Sequence, residues 1–129
     1  MATATKTVTT LVASVANAAG STTRGAIDLR TALGGIVTYK IINGGTGPTL
    51  QCVANLLIAH NAGATPTANP AGTDWKTIYT VGNGTTAATI GEWNYVFGPE
   101  IMHLEIEFTG NTVQPVTVEA FVSVVASIA

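Results

Sequence analysis

The chain has 129 residues, enough for one domain of ordinary size. Charged side chains make up only 9% of it, against roughly 25% in an average soluble domain, and 47% is hydrophobic, which excludes intrinsic disorder. With a formal net charge of -2 and with Lys6, Arg24, Arg30, Lys40 and Lys76 scattered along the chain, no basic patch exists for nucleic acid.

Helix-period apolar patterns are absent, whereas short runs of Val, Ile, Thr and aromatic residues recur between Gly, Asn and Pro clusters, so the chain reads as all-β. Residues 1–10 are rich in Thr and Ala, with good β propensity and little to bury. They read as an extended N-terminal arm that adds a strand to a neighbouring sheet, with Thr3, Thr5 and Thr7 as contact residues. A first strand is expected over 6–15. Lys6, the run from Val8 to Val15 and the small-x-small triplet Ala16-Asn17-Ala18 outline an export leader, but Thr and Ser interrupt its apolar core and no leader is expected. The Ala-rich run 16–19 has the composition for one helical turn.

Strands over 26–30 and 35–42 follow, then a turn at Asn43-Gly44-Gly45-Thr46-Gly47-Pro48, where an Asn-Gly pair accepts the positive φ of tight turns. The next strand, 50–59, carries the single cysteine, Cys52, which has no intramolecular partner and reads as a small buried hydrophobe. This apolar stretch is half the roughly 20 residues of a membrane-spanning helix, so no membrane association is expected. Residues 60–74 form a loop rich in Gly, Pro, Asn and Thr. Strands over 75–81 and 89–97 flank a second Asn-Gly turn at Asn83-Gly84. In 102–108 the alternation is clean: Leu104, Ile106 and Phe108 share one face, and His103, Glu105 and Glu107 share the other, which reads as solvated. The closing strand, 116–125, places Val116, Val118, Ala120, Val122 and Val124 on one side, and leaves Phe121 and Val125 on the reverse side in need of cover.

About eight short strands in one domain, 1–129, predict a two-sheet antiparallel sandwich of jelly-roll or Greek-key type, with a closed barrel as the alternative. No catalytic, cofactor or metal site is expected. Gly-x-Ser-x-Gly does not occur, and the Gly-rich turns lack a following Lys-Ser/Thr. His103 and Glu105 at i and i+2 are the nearest approach to a ligand pair, and a solvated polar face is the simpler account of them. Glu105 and Glu107 lack the contrasting environments that acid–base work requires. Trp93, Tyr95 and Phe97 share a strand face that reads as core or subunit contact. The alternative is a carbohydrate-binding module built from Trp93, Tyr95 and the 60–74 loop.

Five basic and seven acidic side chains cannot cover the surface of such a domain, so apolar strand faces, that of Phe121 and Val125 foremost, want a partner. The Thr/Ala-rich start, the strand Gly34-Gly35-Ile36-Val37-Thr38-Tyr39-Lys40-Ile41, the long loop and the Val-rich closing strand resemble the capsid decoration, or cement, proteins of tailed bacteriophages with a jelly-roll fold. The resemblance implies a non-enzymatic virion protein, made in the host cytoplasm and placed on the capsid surface. It would bind there as a dimer or trimer of its own copies, bridging and reinforcing major capsid protein subunits. Tail and adaptor proteins use similar jelly rolls and are the alternative placement.

Overall fold

The structure is a computed structural model that describes residues 2–128. Eight strands are formed: β1 (Ala4–Asn17), β2 (Thr23–Asp28), β3 (Gly35–Asn43), β4 (Val53–Ala59), β5 (Lys76–Gly82), β6 (Ile90–Phe97), β7 (His103–Thr109) and β8 (Val116–Ile128). They make two four-stranded sheets, ordered β1-β8-β3-β6 and β2-β7-β4-β5, called here the β8 sheet and the β7 sheet after a central strand of each. All pairs are antiparallel, and four of them are nested: β4 with β5, β3 with β6, β2 with β7 and β1 with β8. The chain is thus one long hairpin ribbon rolled up, and β3–β8 and β4–β7 contacts join its turns into sheets. This is jelly-roll topology. The closed barrel is excluded because each sheet ends in free edges, β1 and β6 in one and β2 and β5 in the other.

Two local expectations change. Residues 4–10 are not a free arm: they are the first half of β1 and pair with β8 of the same chain, from Ala4 opposite Ile128 to Thr10 opposite Phe121. A Thr-rich strand beside the long Val-rich β8 satisfies its backbone within the molecule, which a solvated arm cannot do. The Ala-rich run also forms no helical turn, because Ala16 and Asn17 are held in the ladder opposite Thr117 and Val116. A tight turn follows, with Ser21 N donating to Ala18 O at 3.0 Å and Gly20 at a φ of 75°.

The core lies between the inner faces. Val37, Tyr39 and Ile41 of β3 and Val116, Val118, Ala120, Val122 and Val124 of β8 meet Ala54 and Leu56 of β4 and Leu104, Ile106 and Phe108 of β7, all buried. Each fully buried Leu, Ile or Phe side chain contributes about 1.5–3 kcal/mol. Gly25 of β2 faces inward against β1, where a Cβ would collide with the main-chain carbonyl of Leu11. Only a glycine lets the two sheets close at that corner. Cys52 belongs to the core, and burial pushes its thiol up to about 11.

The ends of the sandwich are pinned by buried asparagines. Asn17 Nδ2 donates to Asn111 Oδ1 at 2.7 Å, and Asn111 Nδ2 donates to Asn17 O and to Gln114 O, each at 3.0 Å. Asn83 Nδ2 donates to Asn43 Oδ1 at 3.0 Å, and Asn43 Nδ2 to Thr86 O at 2.9 Å. These side chains satisfy loop carbonyls that burial would otherwise leave without partners.

Candidate functional site

The two sheets turn very different outer faces to their surroundings. On the β8 sheet, strand register assembles side chains that are isolated in the sequence. Val8 stands opposite Ser123, Ser123 opposite Ile36, and Ile36 opposite Val96, so one row crosses all four strands. Val8 and Val96 are 72% and 74% exposed. Phe121 lies in the next row, between Thr10 and Thr38, with its ring partly exposed. Beyond it the face turns polar: Lys40 stands between Glu119 and Glu92, with Nζ 3.6 Å from Glu119 Oε1. A shallow hollow of about 230 Å³ opens beside the row, lined by Lys6, Ile36, Ser123 and Val125. None of the described residues covers this apolar band, and uncovered bands of that kind mark interaction surfaces.

The β7 sheet is covered in part, over His103 and Glu105. The 60–74 loop folds over its outer face and is tied down at several points. His103 Nε2 lies 3.0 Å from Asn61 O, Asn69 Nδ2 donates to Glu105 Oε1 at 3.0 Å, and Arg30 Nη1 reaches Ala62 O at 3.4 Å. Within the loop, Asn61 Nδ2 and Thr67 N both donate to Asp74 Oδ2, and the Trp75 indole N–H donates to Thr67 O at 3.1 Å. The expectation of a solvated face over 102–108 is therefore corrected. The alternation is as read, but His103 is 2% exposed and Glu105 3%. These polar residues leave the core only to enter a second, smaller interior under the loop.

The electrostatics follow from that cover. Burial raises the Glu105 carboxyl above its usual range, opposed by the Asn69 hydrogen bond and by Arg24, whose Nε is 3.5 Å away. Arg24 also reaches Glu107 Oε2 at 3.1 Å, and Asn55 Nδ2 donates to Glu107 Oε1 at 3.0 Å. At the mouth, the hydrogen bonds from Arg30 hold Asp28 down to about 2, and Asp28 in turn raises Arg30. Beneath the loop lies a cavity of about 220 Å³ whose lining includes Asp28, His103, Glu105 and Trp75. Among the described residues no group of three or more His, Cys, Asp or Glu side chains is arranged to hold a metal ion.

The five expected contact residues do not form one surface. Phe121 and Val125 lie on the outer face of the β8 sheet. Thr3 precedes β1 and is exposed, Thr5 pairs with Ser127, and Thr7 lines a separate hollow of about 170 Å³ with Leu29 and Val124. Trp93 and Tyr95 stand opposite Tyr39 and Val37 on the inner face, packed against the core. Trp93 stacks on Tyr39 with ring centroids 5.9 Å apart, and Tyr95 meets Tyr79 at 6.4 Å. They form no external platform, and the 60–74 loop lies across the other sheet. Val8, Ile36 and Val96 went unread as contact residues, since each is a single apolar residue in its own strand and only register makes them neighbours.

No protein-family model matches the sequence, and no curated protein matches it. Solved structures do share the fold. The chain is similar to the K3 cleaved adhesin domain of Lys-gingipain from Porphyromonas gingivalis W83, with a TM-score of 0.57 and 9% identity over 86% of this chain and 72% of that one. It is similar to a chain of infectious bursal disease virus, Gx strain, at a TM-score of 0.52 and 16% identity over 94% of this chain, but spans only 32% of the viral chain. A family 29 carbohydrate-binding module of Piromyces equi matches at 0.50 and 8% identity, over 92% of this chain and 90% of that one. At these identities the likeness is one of fold: a β-sandwich used by viral, adhesive and carbohydrate-binding proteins alike.

Proposed function

We propose that this chain is a non-enzymatic virion structural protein of a tailed bacteriophage. It docks on the outer capsid through the outer face of its β8 sheet and bridges major capsid protein subunits. The observation that carries this is the row of Val8, Ile36 and Val96 with Phe121 beside it: four adjacent strands present apolar side chains that none of the described residues covers. The sequence resemblance to decoration proteins and the jelly-roll topology support the same reading. Burial of that band would supply affinity, and a symmetric lattice multiplies a weak contact through many copies. Self-association into a dimer or trimer would use the free edge of β1, where Thr3, Thr5 and Thr7 run beside an unpaired backbone. The carbohydrate-binding alternative loses its platform, because Trp93 and Tyr95 face the core.

The test is sedimentation of purified phage capsids with the wild-type chain and with an Ile36→Asp, Val96→Asp double variant, both checked for folding by circular dichroism. Saturable binding by the wild type that the variant loses is expected. Equal binding by both would remove the β8 sheet from the contact, and no binding by either would overturn the capsid role. Light scattering on the free chain reads the oligomeric state.

A further inference from the structure

The cavity under the 60–74 loop is lined unevenly. Its walls are apolar, formed by Ala26, Pro66 and the Trp75 ring, whereas its ionisable groups are the Asp28 and Glu105 carboxylates and the His103 ring, and no lysine or arginine lines it. His103 Nε2 faces the main-chain carbonyl of Asn61 at 3.0 Å. A carbonyl only accepts, so Nε2 is the donor of that pair, and in the Nε2–H tautomer Nδ1 is an acceptor. This nitrogen makes no hydrogen bond among the described residues, although the side chain is only 3% exposed. The nearest charged oxygen, Asp28 Oδ1, stands 3.9 Å away, beyond hydrogen-bond distance, and already accepts from Arg30 N and Nε at 3.0 Å each. A single donor nitrogen set about 2.9 Å from each closes that gap.

We propose that this cavity binds an alkylammonium group, the chemistry of a lysine side chain or of a small primary amine. The nitrogen bridges His103 Nδ1 and Asp28 with Glu105 as a further acceptor, and the methylene stem lies against Ala26, Pro66 and Trp75. An ammonium has three donors and no acceptor, the complement of this lining. A neighbouring indole face adds cation–π attraction. The volume of about 220 Å³ has room for an ammonium group with its methylene stem. Arg24 and Arg30 approach the carboxylates without lining the cavity and fix their orientation. Glu105, at the cavity wall, shares Arg24 with Glu107, so one guanidinium faces two carboxylates there. The site is independent of capsid docking, since it lies on the opposite sheet.

The experiment follows the Trp75 indole N–H and the His103 ring protons by NMR during titration at fixed ionic strength. Its probes are n-butylammonium chloride, n-butanol and a capped Gly-Lys-Gly peptide. Saturable shifts with n-butylammonium in the millimolar range are expected, with n-butanol at least about tenfold weaker. Glu105→Gln keeps the size of the side chain and removes its charge, and should weaken n-butylammonium about tenfold. Asp28→Asn, at a half-exposed position, should weaken it too and serves if the first variant folds poorly. Shifts with the capped peptide would identify a partner's lysine as an occupant, whereas shifts with n-butylammonium alone would restrict the site to free amines. Absence of saturation up to about 100 mM n-butylammonium, or equal shifts with n-butanol, would overturn the proposal.

Discussion

The outer faces of the two sheets follow one rule of alternation and arrive at opposite ends. Along β7 the outward residues are polar, yet His103 and Glu105 are sealed beneath a loop. Along β8 the outward Phe121, with Val8, Ile36 and Val96 beside it, is apolar and stands in the open. Strand periodicity determines which side chains leave the core; it does not determine whether they reach water. What decides that is a second layer, here a loop without periodicity that one sheet has and the other lacks. The covered face is tied together by charged hydrogen bonds, while the bare face has an apolar band with no partner among the described residues.

The same chemical change placed on both faces tests this contrast most sharply. Leu57 is 7% exposed and stands directly opposite Glu105. Leu57→Asp would set an unpaired carboxylate beside another and should cost about 3–5 kcal/mol in urea denaturation. Next in size, Asn69→Ala removes the hydrogen bond that the loop donates to the buried Glu105 carboxylate. A loss of about 1.5–3 kcal/mol is expected, with faster amide exchange across 60–74 and little change in β8. Val96→Asp, the counterpart on the bare face, should cost about 1 kcal/mol or less in the isolated chain. A loss as large as that of Leu57→Asp would mean that the β8 face is covered in solution after all.

The smallest effect concerns pH. Hydrogen bonds from Arg30 lower Asp28 from 3.8 to about 2 in the folded chain. A folded value below the unfolded one adds stability above the unfolded value, and this is lost as pH falls from 3.8 through about 2. Because Asp28 is half-exposed, the effect should be a slight extra fall in Tm over that interval, absent from Asp28→Asn.

The strands were legible in the sequence because period-2 alternation and Asn-Gly punctuation are local signals, and Leu104, Ile106 and Phe108 face the core as their spacing predicts. Phe121 and Val125 were legible as a second face because β8 itself carries both. The row from Val8 to Val96 was not, since it is created by register between four strands. Nor were the buried asparagine pins: Asn17 and Asn111 are 94 residues apart, and each alone reads as a turn residue. The 60–74 loop showed its length and composition, but not that it would lie over β7, so His103 and Glu105 were read as solvated.

The nested pairing has a consequence for how the chain is made. Among the described residues β1 pairs only with β8 and β2 only with β7, so both strands leave a ribosome well before their partners. Until β6 is synthesised, only the β4–β5 hairpin can close. Partnerships over such separations place folding in the millisecond-to-second range typical of all-β topologies, and during synthesis β1 is an unclaimed strand in search of any edge.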